Sequence, residues 1–220
     1  MKKLLLTLST LLVASATTMM AHADGVKGDA KAGGQKNAMC IGCHGIPGYQ
    51  ATFPEVYRVP MISGQGAKYI ANALSAYRSG ERHHPTMRGI AQSLSDQDIA
   101  DLAAYYEESG KDLPATPQTA DAAPAKVAEL VTKGGCVACH GEGFAKPTTP
   151  DFPKVAGQPS SYIYVALKSY KSENHATWGR GNAIMGGVAK QFSNDELKAL
   201  ANYISTLPSD LKTVPQSRFR

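Results

Sequence analysis

The sequence predicts an all-α protein made of two tandem helical modules, and three observations predict it. The block Cys40-Ile41-Gly42-Cys43-His44-Gly45 returns as Cys136-Val137-Ala138-Cys139-His140-Gly141, with matching neighbours downstream of each copy. Apolar residues within each copy recur at helical spacing. Between the copies, Ser109 to Pro124 is rich in Pro, Ala and Thr and has no apolar periodicity, so it reads as a stiff extended linker. With 43% hydrophobic and 19% charged residues in 220, the chain is neither a disordered polymer, a collagen-like repeat nor a multi-span membrane protein.

Residues 1–23 read as a cleaved secretory signal. Lys2 and Lys3 form the positive end, Leu4 to Ala16 is largely apolar, and Ala21-His22-Ala23 supplies an A-x-A cleavage site before Asp24. The apolar run is too short for a membrane anchor, which needs about 20 residues. The mature chain is then expected in an exported compartment as residues 24–108, a linker over 109–124, and residues 125–220.

Each module carries the same order of elements. A helix leads into each Cys pair, a second spans about Ala67 to Ser79 and Ser160 to Lys171, and a last one follows Leu94 and Phe192. Ser95 with Asp98, and Ser193 with Glu196, have the spacing of a capping box that starts the last helix. Pro60, Gly64-Gln65 and Tyr69-Ile70 match Pro153, Gly157-Gln158 and Tyr162-Ile163, while Met87, Gly89, Leu102 and Tyr105 match Met185, Gly187, Leu200 and Tyr203. Each module is small for its surface, and five Phe and one Trp serve both. Another apolar body is therefore expected to fill the cores.

Cys-x-x-Cys-His is the attachment pattern of c-type haem: two thiols two residues apart bond the vinyl groups, and the adjacent His is carried beneath the iron. Cys40, Cys43, Cys136 and Cys139 are thus assigned to two covalently bound haem c groups, and His44 and His140 to the iron. A thioredoxin-like pair does not call for the His, and the two Cys pairs lie too far apart for a common four-Cys zinc site. The opposite axial ligand is expected to be Met, the partner of His in electron-carrier haems. Met87 and Met185 match between the modules, whereas Met61 matches Lys154 and is expected to pack.

His83, His84 and His175 are rival ligands, but they do not align in register; Arg82 faces His175 when the modules are superposed on their middle helices. They are expected to be surface residues of a polar loop. The carbonyls of Pro60 and Pro153 are candidate acceptors for the second ring N–H of each axial His. Gln65, Gln158, Tyr69 and Tyr162 either approach the haem propionates or pack where the modules meet, and the residues themselves leave both roles open.

Together, the two Cys-x-x-Cys-His modules, the P-x-x-x-G-Q-x-x-x-Y-I segment after each, the downstream Met and the closing S-x-x-[DE] helix resemble cytochrome c4, the dihaem bacterial c-type cytochromes. The resemblance covers essentially the whole mature chain. It implies two class I cytochrome c domains related by a pseudo-two-fold axis, each with His/Met ligation, in the periplasm of a Gram-negative bacterium. It further implies a shuttle that takes electrons from a quinol-oxidising cytochrome bc complex to a terminal oxidase. His83, His84 and the polar loop from Lys171 to Ile184, with Trp178, match no family role and are candidate partner contacts.

An iron held on both sides has no open position, so the expected job is one-electron transfer rather than catalysis. A haem subunit of a dehydrogenase acting on sulfur compounds or alcohols is the second reading. A dihaem peroxidase is disfavoured by the intact Met87 and Met185. The chain is expected to be a monomer, with peripheral membrane association left open. Lys and Arg number 23 against 18 acids without basic blocks, which argues against nucleic acid as a partner. Charge is uneven: residues 24–117 hold nine basic and ten acidic side chains, residues 118–220 twelve and eight. The second module is therefore the positive end of a dipole.

Overall fold

The computed structural model describes residues 26–114, 122–172, 175 and 177–216. The expected signal segment and the middle of the linker lie outside the described residues. Within them the chain is helical, as the periodicity predicts, and no described helix is long and apolar enough to cross a membrane.

The first module runs α1 (Ala30–Lys36), α2 (Ala38–His44), a hairpin of β1 (Gln50–Ala51) and β2 (Tyr57–Arg58), α3 (Ala67–Ser79), β3 (Arg82–His83), α4 (Pro85–Gln92) and α5 (Asp96–Glu108). The second runs α6 (Ala125–Lys133), α7 (Cys136–His140), a 3-10 turn at Glu142–Phe144, α8 (Ser160–Lys171), β4 (Gly179–Arg180), α9 (Ala183–Ala189) and α10 (Asn194–Ser205). The helices α3 and α8 have the bounds that the periodicity predicts. The short helices α4 and α9 around the two methionines carry too few turns to declare a period.

Local chemistry sets the helix starts. Asp29 accepts from the backbone N–H groups of Lys31 and Ala32 to open α1. Both expected capping boxes form, Ser95 with Asp98 and Ser193 with Glu196. Lys36 and the Ser95 contacts hold the Asp98 carboxyl at about 2, well below its ordinary range.

In each module the first and last helices pack together, α1 on α5 and α6 on α10. At the first crossing Gly33 is buried, and a Cβ there would overlap the Asp101 carbonyl on α5. Absence of a side chain is what lets the two backbones approach. Gly33→Val is expected to cost about 1–3 kcal/mol through overpacking, read as a fall in Tm on thermal unfolding of the holoprotein. An unchanged Tm would show that α1 moves aside freely.

The cores repeat as well. Ile70, Leu102, Ala103 and Tyr106 form one cluster, and Ile163, Ala201 and Ile204 join Phe144, Ala156 and Leu207 in the other. A further cluster of Leu130, Phe192, Leu197 and Leu200 lies under α6.

The modules meet through a reciprocal device. The side-chain amide of Gln65 donates to the Lys154 carbonyl and accepts from the Lys154 N–H, at 2.9 and 3.0 Å. Gln158 does the same to Met61, at 2.7 and 3.0 Å. Both glutamines are buried, at 3% and 4% exposure. β3 and β4, one from each module, pair antiparallel with Arg82 opposite Arg180 and His83 opposite Gly179. Lys168 bonds Glu55 across the same boundary.

The chain end then crosses back to the first module. The Lys212 N–H donates to the Ser63 carbonyl, its ammonium donates to the carbonyls of Gly110 and Leu113, and Leu211 is fully buried. Gln216 reaches the Tyr105 hydroxyl. Residues 109–114, the start of the expected extended linker, are thus tied down by the C-terminal segment.

Candidate haem-binding site

Both Cys-His motifs lie on short helices that end at the histidine, α2 and α7. Three residues apart on a helix, Cys40 and Cys43 share one face, as do Cys136 and Cys139. All four thiols are free and half-buried. They line a cavity of about 1250 Å³ that runs through both modules. Leu74, Ile90 and Leu102 contribute apolar wall in the first module, Leu167, Val188 and Leu200 in the second. This cavity is the space that the shortage of large apolar residues anticipates.

His44 and His140 face the cavity with one ring nitrogen already used. Nδ1 of His44 lies 2.9 Å from the Pro60 carbonyl, and Nδ1 of His140 lies 2.9 Å from the Pro153 carbonyl. A carbonyl only accepts, so Nδ1 carries the proton and Nε2 keeps its lone pair for a metal. Burial pushes both imidazoles below their ordinary range despite the opposing pull of the proline carbonyls, which favours the neutral, ligating form.

Met87 and Met185 each stand third in a helix, α4 and α9, and both line the cavity. Each backbone N–H is held by the cap of its helix: His84 Nδ1 accepts from Met87 at 3.3 Å, and Asn182 Oδ1 accepts from Met185 at 2.9 Å. The two methionines are therefore presented in the same way. Met61 follows Pro60 directly, on the His44 side of the cavity, with its main chain tied to Gln158.

The rival histidines have other work. Nε2 of His84 lies 2.8 Å from the Tyr57 hydroxyl, so both of its ring nitrogens are engaged. Burial, then the nearby Arg180 charge, lower its pKa. His83 Nδ1 pairs with the His175 carbonyl, and the His175 ring lies against Trp178 with centroids 5.0 Å apart. His83 pairs through β3 with the second module, so at least this part of the expected surface loop is a contact between modules.

Superposition on α3 and α8 sets Arg82 against His175, and the structure corrects that register. Arg82 stands opposite Arg180, and His84 is matched by Asn182. The extra residues of the second module lie between Lys171 and Gly179, ahead of β4, so the register has already changed before Arg180. The spacing of Met87 and Met185 carried this signal, because the same offset joins Arg82 to Arg180.

Tyr69 and Tyr162, whose role the residues left open, prove to flank this arginine pair. Arg82 donates to the Tyr69 hydroxyl at 3.2 Å and to Tyr170 at 3.4 Å, and Arg180 donates to Tyr162 at 3.2 Å. For Tyr170, burial raises the phenol pKa, but the guanidiniums of Arg82 and Arg180 outweigh it and leave the net shift downward.

The residues fit haem c. Paired free thiols, an imidazole with a free Nε2 and a thioether on the same apolar cavity are the donor set that the group requires.

The comparisons agree. The cytochrome c family model matches residues 31–108 and 124–208. Cytochrome c4 of Stutzerimonas stutzeri is 33% identical over 91% of this chain and 98% of its own length. A thiosulfate dehydrogenase electron acceptor of the same species, strain A1501, is 31% identical over 84% of this chain and 87% of its own. The crystal structure of reduced cytochrome c4 from Pseudomonas stutzeri superposes with a TM-score of 0.62 at 31% identity, covering 82% of this chain and 99% of that one. With a haem-attachment motif in each of two matched domains around one apolar cavity, the chain binds two covalent haem c groups, carries electrons rather than catalysing a reaction, and belongs to the cytochrome c4 family.

Proposed function

We propose that the protein is a periplasmic shuttle moving single electrons from a quinol-oxidising cytochrome bc complex to a terminal oxidase, after export and cleavage before Asp24. Residues 24–108 and 125–220, joined through 109–124, each hold one haem. Cys40 and Cys43, then Cys136 and Cys139, form the thioethers. His44 with Met87, and His140 with Met185, are the axial pairs. The observation that carries this reading is the repetition of Cys pair, carbonyl-oriented His and capped Met around one cavity.

Bound there between His and Met, each haem would supply a reversible one-electron couple and leave no position for substrate. The chain supplies the rest. Pro60 and Pro153 orient the imidazoles, the caps of α4 and α9 position the thioethers, and the apolar wall excludes water and favours the reduced state. Purified protein is expected to contain two haems per chain and to show, when oxidised, the weak long-wavelength band of iron–sulfur ligation at full strength. Half strength would leave one iron with another ligand, and one haem per chain would overturn the reading.

The positive excess in residues 118–220 supports docking of the second module on an acidic partner. Reaction of that haem with its partner is expected to slow as ionic strength rises, while reaction through the first module is less affected. Equal salt dependence at both haems in stopped-flow mixing would remove the charge argument.

A second reading has its own support. The thiosulfate dehydrogenase electron acceptors of Stutzerimonas stutzeri and Thiomonas intermedia are 31% and 28% identical to this chain. A dehydrogenase partner would then reduce the protein. Rapid reduction by thiosulfate plus a purified dehydrogenase, with none by a cytochrome bc complex, would establish it.

A further inference from the structure

The two methionines are capped by different residues. Met185 is served by Asn182, whose Oδ1 accepts from its backbone N–H at 2.9 Å. Met87 is served by the His84 ring, whose Nδ1 accepts at 3.3 Å while Nε2 lies 2.8 Å from the Tyr57 hydroxyl. A backbone N–H can only donate, so Nδ1 presents a lone pair and the ring proton sits on Nε2. The Tyr57 oxygen is therefore the acceptor, and the hydrogen bond at one ring nitrogen fixes the role of the other.

An imidazole is a conditional cap. Turned over about its last torsion it offers carbon where Nδ1 stood, and in its other tautomer it turns an N–H on the N–H of Met87. An oxygen placed at Nε2 favours one orientation and one tautomer against both alternatives. That oxygen is itself held. Tyr57 is only 7% exposed and stands on β2 opposite Ala51 of β1, next to Arg58, whose N–H donates to Ser161 Oγ of the second module at 3.0 Å. Glu55, between the two strands of the same hairpin, bonds Lys168 of α8. The Tyr77 ring on α3 meets the His84 ring edge-on, with centroids 6.3 Å apart.

α4 has only eight residues, Pro85 to Gln92, and Met87 is the third. Its N–H is one of the donors that a helix start leaves without an intrahelical partner, so whatever fixes the first turn fixes the thioether. Between His140 and Pro153 the second module carries the 3-10 turn Glu142–Phe144 in place of the hairpin, so this arrangement belongs to the first module.

We propose that Tyr57 is a positioning residue for the axial ligand of the first haem: acting through His84, its hydroxyl holds the cap of α4 and thereby the Met87 thioether, whereas the second haem relies on Asn182. This role, which rests on the two-haem, His/Met reading above, makes one hydroxyl outside both Cys-His motifs decide how firmly the first iron keeps its sixth ligand.

The experiment is an imidazole titration of oxidised holoprotein, followed by loss of the weak long-wavelength iron–sulfur band as the added base displaces each methionine. It is run on the wild type, Tyr57→Phe, His84→Asn and the double variant, with haem counted in each. Tyr57→Phe is expected to keep two haems and the whole band, and to lose half of that band at about fivefold lower imidazole, the change that a lost helix cap brings. The other half is expected to stay at the wild-type midpoint. His84→Asn gives α4 the cap that α9 uses, which leaves the hydroxyl without a role. Adding Tyr57→Phe to it is expected to move the midpoint less than about twofold.

An unmoved titration in Tyr57→Phe with two haems, an equal shift in both halves of the band, or as large an effect of Tyr57→Phe beside His84→Asn as in the wild type would each overturn the proposal. The last two are what a merely structural tyrosine would give. If Tyr57→Phe fails to retain haem, the reduced wild type still decides: nitrogen NMR is expected to find the His84 proton on Nε2, and a proton on Nδ1 would overturn the proposal. Fewer than two haems in the wild type, or half of the band, would instead fail the two-haem, His/Met reading itself.

Discussion

Replacing Met87 with His is expected to abolish half of the long-wavelength iron–sulfur band and to lower the potential of one haem by on the order of 0.2 V, a fraction of the ~0.8 V range that axial ligation spans. Thioether sulfur favours ferrous iron, whereas a second imidazole favours ferric. Met185→His is expected to act in the same way on the other haem. The matched setting of the two methionines, third in a short helix with the backbone N–H capped, is why one prediction serves both. Met61→Leu is the control, since Met61 lies beside Pro60 on the His44 side, and it should leave the band intact. Loss of the band in Met61→Leu, or its survival in Met87→His, would transfer the ligand role in the first module.

Gln65→Leu is expected to loosen the module boundary more than any exposed substitution. The leucine fills a similar space but leaves the Lys154 N–H and carbonyl without partners, and each buried orphan costs about 1–3 kcal/mol. At about 2–4 °C per kcal/mol for a chain of this size, Tm is expected to fall by roughly 4–24 °C. Gln158→Leu removes the reciprocal pair at Met61 and should cost about as much. Calorimetry provides a second readout. With the boundary weakened, the two modules should unfold in separable steps, whereas the intact protein should unfold as one unit. A single transition with unchanged Tm in Gln65→Leu would show that β3 with β4 and the C-terminal segment hold the modules without the glutamines.

Much of this was legible in the order of residues, because the chemistry involved is local. A Cys-x-x-Cys-His run declares its function within five positions, and a capping box does so within four. The bounds of α3 and α8 follow from periodicity, since each presents one face to a core for several turns. The proline carbonyls could be chosen because a P-x-x-x-G segment recurs after each motif, and the structure places both within 2.9 Å of the histidines. The match of Met87 to Met185 needed only the repeat.

What stayed hidden depends on pairing between distant residues. Gln65 could have met a haem or a protein partner, and only the docking of the modules brought it to Lys154. His83, His84 and Trp178 read as loop residues because nothing nearby in sequence shows that β3 would find β4. The Lys212 segment carried no motif at all, yet it crosses back to Ser63 and Gly110. The cofactor and the helices that carry its Cys-His motifs could be read from the order of residues alone, since those rest on contacts within a few residues. How the halves join, and that Arg82 comes to stand opposite the buried Arg180, emerged only in the folded chain, because burial and charge placement arise when separate surfaces close on each other.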